Sequence, residues 1–225
     1  MSVNKPRILV LTLVIGADYK KKLAKALESK RTYCARNGYE YIQAEEESWD
    51  RSRPISWSKV PLLKKYAAMK DTYDYIWLSD ADVYMTNFDL KLEDHVLPLL
   101  PDNKDFLLTF DSCEHVNAGN VILRPSEWSL AFLDRVWAQT EFLYHIWWET
   151  AAICHLMATS PSDMLKIECT KEAYRFNAYL QGVKDSRLWQ PGDLLVHFAG
   201  VYDAVKMAEL INAIDRGETP RLSMF

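Results

Sequence analysis

Tyr75-Ile76-Trp77-Leu78-Ser79-Asp80-Ala81-Asp82 is the stretch on which the reading of this chain turns. Tyr75 to Leu78 is an uninterrupted run of strand-forming residues, the composition of a parallel strand buried on both faces. It leads straight into two carboxylates one residue apart. A buried carboxylate is costly unless something pairs it, so the strand ends at a cleft that Asp80 and Asp82 face. Ligands of open α/β sheets sit beyond the carboxyl ends of the strands. The pair is therefore a candidate for holding a divalent cation and, through it, a diphosphate. Spacing alone is a weak signal: 17 Asp in 225 residues give about one such pair by chance. Placement after the buried run is what raises it, against the plain alternative of a solvated turn.

To either side, strands and helices alternate. Ile8 to Val14 reads as a buried strand, and Gly16-Ala17-Asp18 turns the chain. Apolar residues at near-helical spacing predict a helix over 19–37, with Gly38 as its C-cap. Tyr39 to Gln43 is a second strand, which makes a βαβ unit and a parallel sheet. Residues 45–56 read as a loop, 57–70 and 89–100 as helices, and 105–110 as a strand. His115 to Asn120 reads as a loop before a strand over 121–124. Ser126 caps a helix that carries Trp128, Phe132, Leu133 and Trp137. A helix over 147–157, strands over 164–168 and 194–198, and a closing helix over 202–216 complete the pattern.

Composition narrows the function. The chain has 225 residues and 49% hydrophobic content, enough for one α/β domain. A net charge of −4 with no basic stripe argues against nucleic acid as partner. Cys34, Cys113, Cys154 and Cys169 form no C-x-x-C pair, so a zinc site is disfavoured and reduced thiols in a cytoplasmic compartment are expected. The apolar run at Ile8 is too short to span a bilayer, and no transmembrane segment is expected. Eight Trp and twelve Tyr offer faces on which sugar rings can stack, although such residues are core formers first.

Six spaced pieces then coincide. They are Trp57-x-Lys59, Trp77-Leu78-Ser79-Asp80-Ala81-Asp82, Asn117-Ala118-Gly119-Asn120-Val121-Ile122-Leu123-Arg124, Trp128-x-x-x-Phe132-Leu133, Arg175-Phe176-Asn177, and Gly192-Asp193-Leu194-Leu195-Val196-His197-Phe198-Ala199-Gly200. In this order they resemble glycosyltransferase family 34, the galactosyl-, xylosyl- and mannosyltransferase group, over roughly residues 8–205.

The resemblance implies an α/β GT-A glycosyltransferase fold, with a Rossmann-like, mostly parallel central sheet flanked by helices. It implies one catalytic domain over 1–225, with a nucleotide-sugar half to about 115 and an acceptor half beyond. The implied activity is metal-dependent retaining transfer of a hexose or pentose. The donor is a nucleotide-diphosphate sugar (UDP-galactose, UDP-xylose or GDP-mannose) and the acceptor a glycan hydroxyl. Asp80, Asp82 and His197 are the implied metal ligands, for Mn²⁺ or Mg²⁺. Thr12, Leu13, Arg31, Trp57, Lys59, Asp80, Ala81, Asn117, Gly119 and Gly200 are the implied donor set. Trp148 and Asn177 fall to the acceptor, Glu149 and Arg175 to catalysis.

Hard oxygen ligands suit Mg²⁺ or Mn²⁺, and an imidazole shifts the choice toward Mn²⁺. Glu149 is followed by Thr150 where the family carries Gln. Val201-Tyr202 stands where the family tends to carry a basic residue. The family's usual members are Golgi-anchored, so the Golgi lumen is the alternative compartment for a chain lacking its anchor. No oligomeric state follows from the sequence. Two other functions compete. A haloacid-dehalogenase-type phosphatase also uses Asp-x-Asp, but on its first strand and with Thr or Val where this chain has Tyr84. A degenerate transferase that only binds nucleotide sugar or glycan is the second.

Overall fold

The computed structural model describes residues 5–112, 114–183 and 185–222; Cys113 lies outside them. Strand β1 (Ile8–Leu13) is buried along its whole length. The helix expected over 19–37 is interrupted. Leu23 sits between α1 (Ala17–Lys22) and α2 (Ala24–Asn37) with φ −96° and ψ 10°, and its own side chain is buried. Gly38 closes α2 at φ +69°, the left-handed conformation that glycine adopts without penalty. Strand β2 (Glu40–Ala44) then pairs parallel to β1.

A 3-10 turn over Ile55–Ser58 leads into α3 (Lys59–Ala67), whose Pro61 stands in the first turn, where no intrahelical N–H bond is lost. Strand β3 (Tyr75–Ser79) runs parallel to β1. Beyond the Asp80–Asp82 turn come β4 (Val83–Met85), α4 (Leu92–His95), β5 (Phe106–Phe110) and β6 (Val116–Leu123). Helix α5 (Glu127–Ala138) is capped by Ser126, whose Oγ accepts from the Ser129 N–H at 3.1 Å. Then follow α6 (Trp148–Thr159), α7 (Pro161–Met164), β7 (Ile167–Thr170), β8 (Leu195–His197) and α8 (Ala204–Asp215). Met164 thus ends a helix, and the strand expected over 164–168 starts at Ile167. Asp203 caps α8, so that helix starts later than residue 202.

Six strands form one sheet in the order β2-β1-β3-β6-β5-β7, and β4 and β8 form a small antiparallel ribbon. Only β6 runs against the other five. Alternate residues of each strand face opposite sides. Leu9, Leu11, Ile76 and Leu78 pack under α3, α5 and α6, while Ile8, Val10 and Trp77 pack against α2 and α4. Each such side chain contributes about 1.5–3 kcal/mol on burial. Helix α8 closes a third cluster with Leu27, Trp189 and Phe198.

Of the loop expected over His115–Asn120, all but His115 is instead the start of β6, with Asn120 opposite Ser79 and fully buried. Polar residues suggested solvent. In the fold Asn120 donates to Asn177 Oδ1 and Asn117 accepts from Asn177 Nδ2, so both amides find a partner within the protein.

Candidate functional site

The site begins where β3 ends. Asp80 donates its backbone N–H to Gly119 O at 2.7 Å, and Val83 N–H turns back to Asp80 O at 3.2 Å. This tight turn projects both carboxylates off the sheet's carboxyl edge. Strand β8 pairs antiparallel with β4, His197 opposite Val83, and Phe198 N–H reaches Asp82 O at 3.1 Å. A residue 115 positions beyond Asp82 is thereby brought to face it, with His197 Nε2 3.3 Å from Asp82 Oδ1. One ligand atom from each of Asp80, Asp82 and His197 lies within 4.8 Å of the others. Gly119 makes the close approach feasible. A Cβ there would overlap His197 Cε1 and lie 2.9 Å from Asn117 Oδ1.

Two lysines flank the turn, Lys59 half-buried and Lys30 fully buried. Lys59, at the start of α3, pairs with Asp80 Oδ1 at 2.6 Å and with Glu149 Oε1 at 3.2 Å. Burial opposes its charge, but the two carboxylates outweigh burial and raise its pKa above the ordinary lysine value. Lys30, fully buried on α2, donates to the Asp80 carbonyl oxygen from behind. Burial pushes it down to about 7, against the opposing pull of Asp82 and Asp80. Glu149 is buried in the first turn of α6, where Ser56 Oγ donates to its Oε2 at 2.6 Å. Burial raises its pKa against the opposing Lys59 and Ser56. Burial likewise works against ionised Asp82, yet His197 and the two lysines hold its carboxyl below the usual range.

Ser56, Lys59, Asp80, Asp82, Glu149 and His197 line a cavity of about 350 Å³ together with Asn117, Trp147, Trp148, Gly200 and Tyr202. Trp148, ahead of Glu149, adopts φ +43°, a conformation costing an L-residue about 1–2 kcal/mol and one that clusters at functional sites. Trp147, Ile146 and Tyr202 are exposed at the rim.

Of the residues singled out in the sequence, Lys59, Asp80, Asp82, Asn117, Gly119, Trp148, Glu149, His197 and Gly200 come together around this cavity. The others lie elsewhere. Thr12 is buried and ties β1 to β3 through its hydroxyl, which donates to Ser79 O at 3.0 Å. Leu13 and Trp57 belong to the core, and Ala81 packs with the α8 cluster. Arg31 is on the exposed side of α2, bonded to Glu28 and Gln43. Arg175 donates to the His95 carbonyl oxygen and pairs with Glu172 at 3.5 Å. Asn177 is fully buried behind His197.

Lys30, Ser56, Trp77 and Asn120 were missed as site residues. Lys30 had a signal, since it falls on the stripe Ala26, Leu27, Lys30, Tyr33, Cys34, all buried at helical spacing. Ser56 immediately precedes Trp57-x-Lys59.

The donor set fits a divalent cation. Two carboxylates and an imidazole converge, and His197 Nε2 and Asp82 Oδ1 face each other as two acceptors unless a proton or a cation stands between them. No helix among the described residues is long and apolar enough to cross a membrane.

The family model described as galactosyl transferase GMA12/MNN10 family matches residues 4–103 and 99–207. An alpha-1,2-galactosyltransferase of Schizosaccharomyces pombe is 25% identical over 213 residues, 77% of this chain and 55% of that protein. Xyloglucan 6-xylosyltransferase 1 of Arabidopsis thaliana is 30% identical over 150 residues, 60% of this chain and 31% of that protein. This chain therefore spans about half the length, or less, of these curated relatives. The crystal structure of a glycosyltransferase involved in glycosylation of the major capsid of PBCV-1 superposes with a TM-score of 0.70 at 15% identity, over 92% of this chain and 99% of that one. The architecture is the GT-A glycosyltransferase fold, and the chain belongs to the galactosyl transferase GMA12/MNN10 family.

Proposed function

We propose that this chain is a metal-dependent glycosyltransferase. It moves a hexose or pentose from a nucleotide-diphosphate sugar to a glycan hydroxyl with retention of configuration. The observation that carries the reading is the convergence of Asp80, Asp82 and His197 at the carboxyl edge of the sheet, beside the Lys59–Glu149 pair. Family membership supports transfer of a sugar. The named activities of the relatives support galactose or xylose as the sugar, with mannose the third candidate.

Asp80, Asp82 and His197 would hold Mn²⁺ or Mg²⁺, which when bound neutralises charge on the leaving nucleoside diphosphate. Lys59 sits beside them with its charge secured by Asp80 and Glu149, and it adds a second cation for the phosphates. Gly200, at φ +78° with nothing near its missing Cβ, leaves room for a phosphate to approach the backbone. Both oxygens of Glu149 are engaged, by Ser56 and by Lys59. This supports a role in holding Lys59 and stabilising positive charge on the donor sugar ahead of one as a free nucleophile. Trp148 and Trp147 at the rim suit an acceptor sugar ring.

A thermal-shift panel of nucleotide sugars with and without Mn²⁺ tests the proposal. A ligand that binds only the folded state raises the midpoint, so one donor should raise it in the presence of Mn²⁺ alone. Transfer to a glycan acceptor should follow with that donor. No midpoint change with any sugar nucleotide, metal present, would sink the reading. Metal-dependent donor binding without turnover on any acceptor would favour the degenerate binder.

A further inference from the structure

Behind His197 runs a line of buried side chains whose hydrogen-bond polarity is fixed at both ends. At one end the Trp77 indole Nε1–H, which can only donate, meets Asn120 Oδ1 at 3.0 Å. That leaves Asn120 Nδ2 as the donor to Asn177 Oδ1 at 2.9 Å. At the other end the Gly119 backbone N–H, again only a donor, meets Asn117 Oδ1 at 2.8 Å. Asn117 Oδ1 also accepts from Asn177 Nδ2 at 3.1 Å, and that Nδ2 donates to Thr109 Oγ1 at 2.9 Å. Turning any one amide over would set donor against donor or acceptor against acceptor. Asn177 Oδ1 is therefore an acceptor, and it lies 2.8 Å from His197 Nδ1. Trp77, Asn120 and Asn177 are all buried, so water cannot substitute for a lost partner.

We propose that this amide relay makes Asn177 a positioning residue. It holds the proton of His197 on Nδ1 and leaves the Nε2 lone pair aimed at the Asp80–Asp82 carboxylates. The inference rests on the reading of Asp80, Asp82 and His197 as a metal site, and it assigns Asn177 to orienting a ligand and not to touching the acceptor. The partner of the free ring nitrogen sets which nitrogen a metal can take. Asn117, Gly119 and Asn120 in β6 then have one shared purpose, since two amide side chains and one backbone N–H each fix an orientation in the relay.

Two measurements decide it. The first is the nitrogen chemical shifts of His197 in metal-free wild-type protein near neutral pH, with the signal assigned by its loss in His197→Gln. A proton on Nδ1 is expected, whether or not a second one lies between Nε2 and Asp82; an Nδ1 without a proton overturns the proposal without any variant having to fold. The second is Mn²⁺ binding, read from the resonance of the free ion, for wild type, Asn177→Leu and the milder Trp77→Phe. Asn177→Leu should weaken Mn²⁺ by about 10–100-fold, and Trp77→Phe by less. Unchanged affinity in a folded Asn177→Leu protein overturns the positioning role. Wild-type protein with protonated Nδ1 but no affinity for Mn²⁺ overturns the metal reading instead, while the relay's polarity stands.

Discussion

The two sides of the Asp80–Asp82 turn carry the same residue under opposite conditions. On the cavity side, Lys59 meets two carboxylates, and its charge is secured. On the core side, Lys30 meets a single backbone carbonyl, and its pKa falls to about 7. Both are largely removed from water, so burial is not what separates them. The separation comes from what each ammonium touches: two carboxylates in contact repay desolvation at Lys59, whereas a peptide carbonyl in contact, with Asp82 and Asp80 acting only through space, does not at Lys30. The cavity side is built to keep charge available to a ligand, and the core side to hold the turn in place.

The sharpest way to break that contrast is to remove an anion from the cavity side. Asp82→Ala should abolish metal-dependent donor binding while leaving the fold intact, measured by calorimetry with Mn²⁺ and nucleotide sugar. Unchanged donor affinity would refute the role given to this side of the turn. Glu149→Gln should come next, cutting turnover by about 100-fold or more with little change in donor affinity. A wild-type rate would take Glu149 out of the chemistry. The lysines then separate in stability. Lys59→Met leaves Asp80 and Glu149 without their shared cation and should cost about 3 kcal/mol in urea denaturation of the metal-free protein, toward the low end for a broken buried pair because Asp80 reaches solvent. Lys30→Met removes a poorly compensated charge and should change stability by less than about 1 kcal/mol at pH 7. Equal losses from both would erase the distinction.

The sequence made part of this arrangement legible. Ile8–Leu13 and Tyr75–Ser79 are apolar runs, and their burial and parallel pairing follow from composition. Asp80 and Asp82 stood out because carboxylates rarely end such a run. Ser126 and Gly38 act where their side-chain chemistry and conformational freedom suggested. The relay was hidden by distance. Trp77 and Asn120 are 43 positions apart, and Asn120 and Asn177 are 57 apart. Local polarity assigned Asn117–Asn120 to a loop because a buried asparagine is affordable only when a remote partner is known. Lys30 was passed over for the same reason, since a lysine on a helix is read as solvated unless the chain folds a carbonyl onto it. Strand β4 has three residues and exists as a strand only because β8 pairs with it, a contact no local pattern records.

The finest test of the two sides is pH. Lys30 has its pKa depressed by burial from 10.5 to about 7 in the folded protein. Between those values the unfolded chain holds a proton there that the folded chain does not. Unfolding then takes up a proton, so Lys30 makes stability rise with pH across that window; below about 7 and above 10.5 both states carry the same proton count and the contribution is flat. Other groups titrate in the same range, so the informative quantity is the difference between wild type and Lys30→Met in urea denaturation without metal. From pH 7 to pH 10 wild type should gain on the order of 3 kcal/mol on the variant. The slope has the opposite sign to that expected of a lysine with a raised folded pKa, whose stabilisation is lost as pH rises. A difference that stays flat, or falls with pH, would mean that Lys30 keeps its proton as Lys59 does, and that the carboxylates reach through the turn to compensate it.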